Sequence, residues 1–131
     1  MFKLSGKSLQ RLGGVHPDLV RLTKRAIERS PVDFGITEGV RSYERQVQLV
    51  QAKKSTTLHS LHLVQEHTGY GHAIDIFAYV GGKATWSPKY YGPIIQTFIT
   101  EAAILGIQTE FGLLWKDFTD APHIQLNRKF Y

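Results

Sequence analysis

The stretch "HAIDIFAYVGGKATW", from His72 to Trp86, decides the fold. Residues 72–80 are apolar and rich in Ile, Phe, Tyr and Val, which is the composition of a strand. Gly81-Gly82 is a hairpin turn signal, and "KATW" (83–86) returns as the next strand. Alternate side chains of a strand face opposite sides, so Ala73, Asp75 and Phe77 share one face and Ile74 and Ile76 the other. Asp75 therefore interrupts an apolar strand. A carboxylate beside that much apolar surface calls for a cation or a metal, unless the strand is an edge and the aspartate faces solvent.

On the C-terminal side, "SPKYYGPIIQTFITEAAILG" (87–106) is the longest predicted helix. Ile94, Ile95, Phe98, Ile99, Ala102 and Leu105 form its buried stripe, and Gly106 is its stop. "IQTEF" (107–111) and "PHIQL" (122–126) are predicted to close the sheet. On the N-terminal side, residues 16–30 predict a helix with Pro17 in the first turn. Leu19, Val20, Ala26 and Ile27 fall on one face of it, with Arg21, Lys24, Arg25 and Arg29 mostly on the other. "DFGITEG" (33–39) is a short strand, and "SYERQVQLVQA" (42–52) a second helix with Ser42 as its N-cap. No strand–helix–strand alternation demands a parallel sheet. The expected class is α+β, a small antiparallel sheet packed with helices in a single domain over residues 1–131.

A chain of 131 residues can bury such a core without staples. It has no cysteine, so disulfides and thiolate metal sites are excluded, and any metal must be held by His, Asp and Glu. The formal charge of +5 favours an anionic partner: nucleic acid, a membrane surface or an acidic polymer such as a cell wall. Lys and Arg are spread along the chain, with no RNA-binding aromatic motif and no helix-turn-helix signature, so nucleic acid is not the expected partner. No stretch approaches the ~20 apolar residues of a membrane span, so no membrane insertion is expected. The N-terminus lacks a signal-peptide core, which predicts synthesis in the cytoplasm without a signal peptide.

Four of the six histidines, His59, His62, His67 and His72, crowd into residues 58–77 just before Asp75. A second cluster is "DFTDAPHIQL" (117–126), where Asp120 lies three residues before His123. A zinc site without cysteine typically uses three His or carboxylate ligands and leaves a position open for water. Zinc lowers the pKa of that water to about 7, so a nearby carboxylate such as Asp120 could take its proton.

"TEGVRSYERQ", "SLH…GHAIDIFAYVGGKATW" and "WKDFTDAPHIQL" together resemble the D-Ala-D-Ala carboxypeptidase/L-alanyl-D-glutamate peptidase family of zinc peptidases, and most of all its small phage endolysins. The likeness covers nearly the whole chain. It implies a zinc-peptidase domain of the hedgehog/DD-peptidase-like fold, one Zn2+ per chain, and hydrolysis of a peptide bond in the stem or cross-bridge of bacterial peptidoglycan. It also implies a monomer that is made in the host cytoplasm and acts on the cell wall. Carried over by position, Asp75 and His123 are zinc ligands and Asp120 is the general base. Arg41 is the family arginine that holds substrate carbonyl or carboxylate oxygens, and Gln46 is structural.

The first zinc histidine does not follow from the family spacing, which places Thr68 there. "STTLHSLH" matches the approach to the family histidine and ends on His62, so an insertion of roughly "VQEHTG" (64–69) is implied, with His62 the first choice and His67 the alternative. A loop absorbs such an insertion at low entropic cost. His59 and His72 are bystanders on this reading. Leu61 and "GLLW" (112–115) depart from the family pattern. With the insertion, they leave open a second possibility, a catalytically degenerate wall-binding member of the same fold.

Overall fold

The computed structural model describes residues 1–117 and 119–131. Its centre is the strand predicted around Asp75, β4 (Ala73–Val80), numbered after three shorter strands that precede it. Those are β1 (Asp33–Glu38), β2 (Val64–Gln65) and β3 (Tyr70–Gly71). β1 runs antiparallel along one edge of β4, from Asp33 opposite Tyr79 to Glu38 opposite Asp75. The other edge of β4 is shared. Its first half pairs with β7 (His123–Leu126), and its last three residues pair with β5 (Lys83–Thr85) across the Gly81-Gly82 turn. β6 (Thr109–Phe111) then pairs with β7, and every pairing in this sheet is antiparallel.

One face of the sheet carries Phe34, Ile36, Ile74, Ile76, Ala78, Ile124 and Leu126, all buried. Against it pack α2 (Pro17–Arg29), through Leu19, Leu22, Ala26 and Ile27, and α4 (Pro88–Leu105), through Tyr91, Ile94, Ile95, Phe98 and Ala102. Removing this apolar surface from water is the main force holding sheet to helices. Two polar ties fix how they sit. Tyr91 Oη accepts from the Ala78 N–H at 3.2 Å and donates to the Thr85 carbonyl at 3.0 Å. Glu101, buried on α4, takes Arg25 at 2.5 Å and Arg29 at 3.2 Å from α2. The α+β expectation holds, and the long helix spans the predicted stretch up to Gly106, which has φ 72°.

The short helix α1 (Gly6–Arg11) has too few turns for a periodicity to show in the sequence. It covers the free edge of β1. Ser8 Oγ accepts from the Ile36 N–H at 3.0 Å, and Arg11 donates to the Ile36 carbonyl at 2.9 Å. An edge so satisfied cannot recruit another strand there.

Helix α3 (Tyr43–Gln51) is capped by Ser42, as expected, but its fully buried residue is Gln46 rather than an apolar one. β2 and β3 form a small hairpin between His62 and His72, turned at Gly69 (φ 77°). The predicted insertion, 64–69, makes up most of it. Hydrogen bonds of 2.9 Å from His16 N to the Gly71 carbonyl and from Gly71 N to the Gly14 carbonyl dock it onto the start of α2.

Candidate metal centre

The second face of the sheet holds the polar site. In β4 it presents Asp75, and in β7 it presents His123 and Gln125, with Asp75 directly opposite His123. On the other side of Asp75 lies Glu38. Simple alternation from Ile36 would turn Glu38 into the core. A β-bulge between Ile36 and Glu38 sets two residues of β1 against one of β4, so Glu38 joins the polar row instead.

His62 reaches this row from the segment before the hairpin. The Ser60 hydroxyl accepts from the His62 N–H at 3.1 Å, a local turn that aims the imidazole inward. The His62 carbonyl accepts from Arg41 N at 2.8 Å, and His72 N donates to the Leu61 carbonyl at 2.7 Å. These bonds clamp both ends of the hairpin, so its extra residues project away without moving His62.

His62 Nε2 lies 3.4 Å from Asp75 Oδ2, and His123 Nδ1 lies 3.2 Å from Asp75 Oδ1. One donor atom from each of the three residues falls within 4.8 Å of the others. Two bonds decide where the imidazole protons sit. His62 Nδ1 is 2.8 Å from the Gly39 carbonyl, which can only accept, so Nδ1 carries the proton and Nε2 a bare lone pair. His123 Nε2 is 2.7 Å from Gln125 Oε1, and Gln125 Nε2 donates in turn to the Glu110 carboxylate at 3.4 Å. His123 Nδ1 is then the free lone pair. Both lone pairs face an anionic oxygen, an arrangement that requires either two added protons or one cation between them. His62 Nε2 is fully buried and without a hydrogen-bond partner. Three donor atoms this close together are near enough to bind one ion. The donor set therefore fits a metal ion, and the Gly39 and Gln125–Glu110 contacts are the outer supports that ligating histidines commonly have.

Burial by itself would push the Asp75 carboxyl up. The His123 contact and the nearby His62 imidazole overcome this and hold it well below the usual carboxylate range. Burial would depress the His123 imidazole, but Asp75, then Gln125 and Asp120, raise it instead. Asp120 is pushed up, first by burial and then by the Asp75 charge. Its backbone is held against the turn of 3-10 helix at Gly112–Leu114, where Asp120 N donates to the Gly112 carbonyl at 2.9 Å. Any side chain at Gly112 would stand 2.1 Å from the Asp120 carbonyl oxygen, so the glycine of "GLLW" is what permits this approach. Trp115 packs on the His123 ring with centroids 5.2 Å apart.

Arg41 is oriented by Glu38, which accepts from Nε, and by Gln46 Oε1, which accepts from Nη1 at 2.7 Å, while Nη2 faces Asp75 Oδ2 at 3.8 Å. Gln46 also donates to Ser55 Oγ at 2.9 Å and to the Thr57 carbonyl at 2.6 Å. The residue read as structural thus ties the arginine to the loop after α3.

Of the residues singled out in the sequence, the fold brings together His62, Asp75, His123, Asp120 and Arg41, all lining one groove. His67 is not among them. It is exposed on the hairpin, where its Nε2 meets the main-chain oxygen of Tyr131, because the clamped hairpin turns it away from Asp75. His59 is exposed and His72 buried elsewhere. Sequence reasoning missed Glu38, Gln125, Glu110 and Trp115. Gln125 could have been found by alternation from His123, whereas Glu38 depends on the bulge.

The family model described as phage L-alanyl-D-glutamate peptidase matches residues 1–131, and the chain belongs to that peptidase family. It is 30% identical over 131 residues to the L-alanyl-D-glutamate peptidase of Escherichia phage T5, covering 99% of this chain and 93% of that protein. It is 33% identical over 104 residues to the L-alanyl-D-glutamate peptidase of Listeria phage A118, covering 79% of this chain but 34% of the longer phage protein. The crystal structure of the Serratia marcescens L-Ala D-Glu endopeptidase ChiX superposes with a TM-score of 0.90 at 39% identity, over 99% of this chain and 93% of that one.

Proposed function

We propose that the chain hydrolyses the L-alanyl–D-glutamate bond of bacterial peptidoglycan, with one zinc ion held by His62, Asp75 and His123. The observation that carries this reading is the buried, unpartnered His62 Nε2 aimed at Asp75, with its other nitrogen committed to Gly39. A zinc ion held there supplies Lewis acidity, polarising a carbonyl and acidifying a water.

The chain's own groups do the rest. Asp120, with its raised pKa, accepts a proton from the attacking water and passes one to the leaving nitrogen. Arg41, anchored by Glu38 and Gln46, offers a fixed positive edge to the oxygens of the substrate. Trp115 shields the His123 side of the groove from water. The hairpin accommodates the insertion outside the cluster, which counts against a wall-binding module that has lost its metal. No helix among the described residues is long and apolar enough to cross a membrane, and the net positive charge suits approach to an anionic wall.

The test uses purified peptidoglycan and the full chain. Digestion should release products with a new D-glutamate amino terminus by mass spectrometry, stop on chelation and resume with zinc. Products cut at any other bond would refute the specificity, and activity indifferent to chelation would refute the metal.

A further inference from the structure

The groove is about 430 Å³ and extends from the His62–Asp75–His123 cluster to a wall formed by the loop after α3. Its lining carries both signs of charge. Glu38, Asp75 and Asp120 surround the cluster, whereas Lys54 and Arg128 line the groove together with the hydroxyls of the 55–57 segment. Arg41 is paired with the carboxylates of Glu38 and Asp75. Lys54 and Arg128 are not. Among the described residues neither forms an ion pair, and Arg128 makes one long hydrogen bond, 3.4 Å, to the His59 carbonyl. That contact reaches across to the loop that carries Lys54, and the loop is itself held by Gln46 through Ser55 and Thr57. Two uncompensated cations thus stand on supported backbone in the same groove as the candidate reacting centre.

An L-alanyl–D-glutamate unit presents the matching anion. The glutamate has two carboxyl groups, and the chain continues through only one. The other stays free, within a few bonds of the nitrogen that leaves, and is an anion unless amidated. We infer that Lys54 and Arg128 bind this free carboxylate and so make the enzyme selective for a leaving-side residue that carries a negative charge. The inference rests on the activity proposed above and adds the residues that would read the leaving side. Both cations are far enough exposed that each contact is modest, and the effect lies in substrate affinity rather than in the chemical step.

The experiment compares two synthetic peptides that differ only there, one with the free carboxylate and one with the primary amide. The zinc-loaded full chain is assayed alongside Lys54→Gln, Arg128→Gln and the double variant. The wild type should cleave the carboxylate peptide with a KM about five- to tenfold lower than the amide, at similar kcat. The double variant should lose that preference by raising KM for the carboxylate peptide alone, and added salt should shrink the preference in the wild type. Equal KM values for the two peptides in the wild type would overturn the inference. So would a double variant that weakens both peptides alike, since that marks a structural role. Cleavage of neither peptide by the wild type would refute the proposed activity itself, and the charge reading with it.

Discussion

His62 and His72 lie ten residues apart in one segment and are both buried, each 2% exposed. His62 meets a carboxylate and another imidazole with its second nitrogen unspent. His72 packs among rings: His16 at 5.3 Å, His67 at 5.5 Å and Tyr131 at 6.2 Å between centroids, each edge to face. Its Nε2 bonds Thr68 Oγ1 at 2.7 Å, His16 Nδ1 accepts from the Asp18 N–H, and His67 Nε2 meets the main-chain oxygen of Tyr131. With no acid beside it, burial and then the charges of His16 and His67 pull the His72 pKa down to about 4. A histidine becomes a candidate ligand here because a neighbouring strand supplies an anion while its own lone pair stays free. His72, its Nε2 bonded to Thr68 and no carboxylate among its ring neighbours, behaves as a packing aromatic.

The contrast can be broken most sharply at the ligands. His62→Ala and His123→Ala should each reduce bound zinc from one per chain to near zero after dialysis and abolish peptidoglycan hydrolysis, while His67→Ala and His72→Gln keep the metal. Metal analysis of the four proteins decides it, and stoichiometric zinc in His123→Ala would undo the assignment. Asp120→Ala should retain zinc yet lose about 10²- to 10⁴-fold in rate, since a proton acceptor need not touch the ion. Loss of the metal from that variant would make Asp120 a ligand instead.

Gln125→Leu tests the support behind His123. Zinc affinity by competition with a chelator should weaken about 10- to 100-fold, because nothing then holds the His123 Nε2 proton. The smallest effect belongs to the aromatic group. His72 titrates near pH 4 when folded and near 6.5 when unfolded, so the unfolded chain takes up the proton first. Its contribution is complete above about pH 6.5 and is lost as pH falls toward 4, by about 1–3 kcal/mol. Denaturation midpoints across that window, compared between the wild type and His72→Gln, should show a shallower acid slope in the variant.

Much of this was legible in the chain. The alternation of Ile74 and Ile76 with Asp75 identifies a half-buried strand, Gly81-Gly82 its return, and the stripe from Ile94 to Leu105 the helix that covers the core, because burial imposes periods of 2 and 3.6 that local sequence records. Asp75 stands out as the carboxylate on the opposite face of that strand, and Asp120 and His123 through their spacing and the resemblance to the peptidase family. Which loop histidine joins them could be settled only by tertiary structure. The clamp at Leu61, His62 and His72 and the docking of the hairpin on Gly14 and His16 decide it, and those are contacts between distant segments. The same holds for Glu38, brought to the polar face by one bulge, and for the Gln125–Glu110 bond, set by the register of β6 on β7. A pattern along the chain reports which face a residue occupies. Only the pairing of strands fixes what stands opposite it, and the chemistry of this site depends on those neighbours.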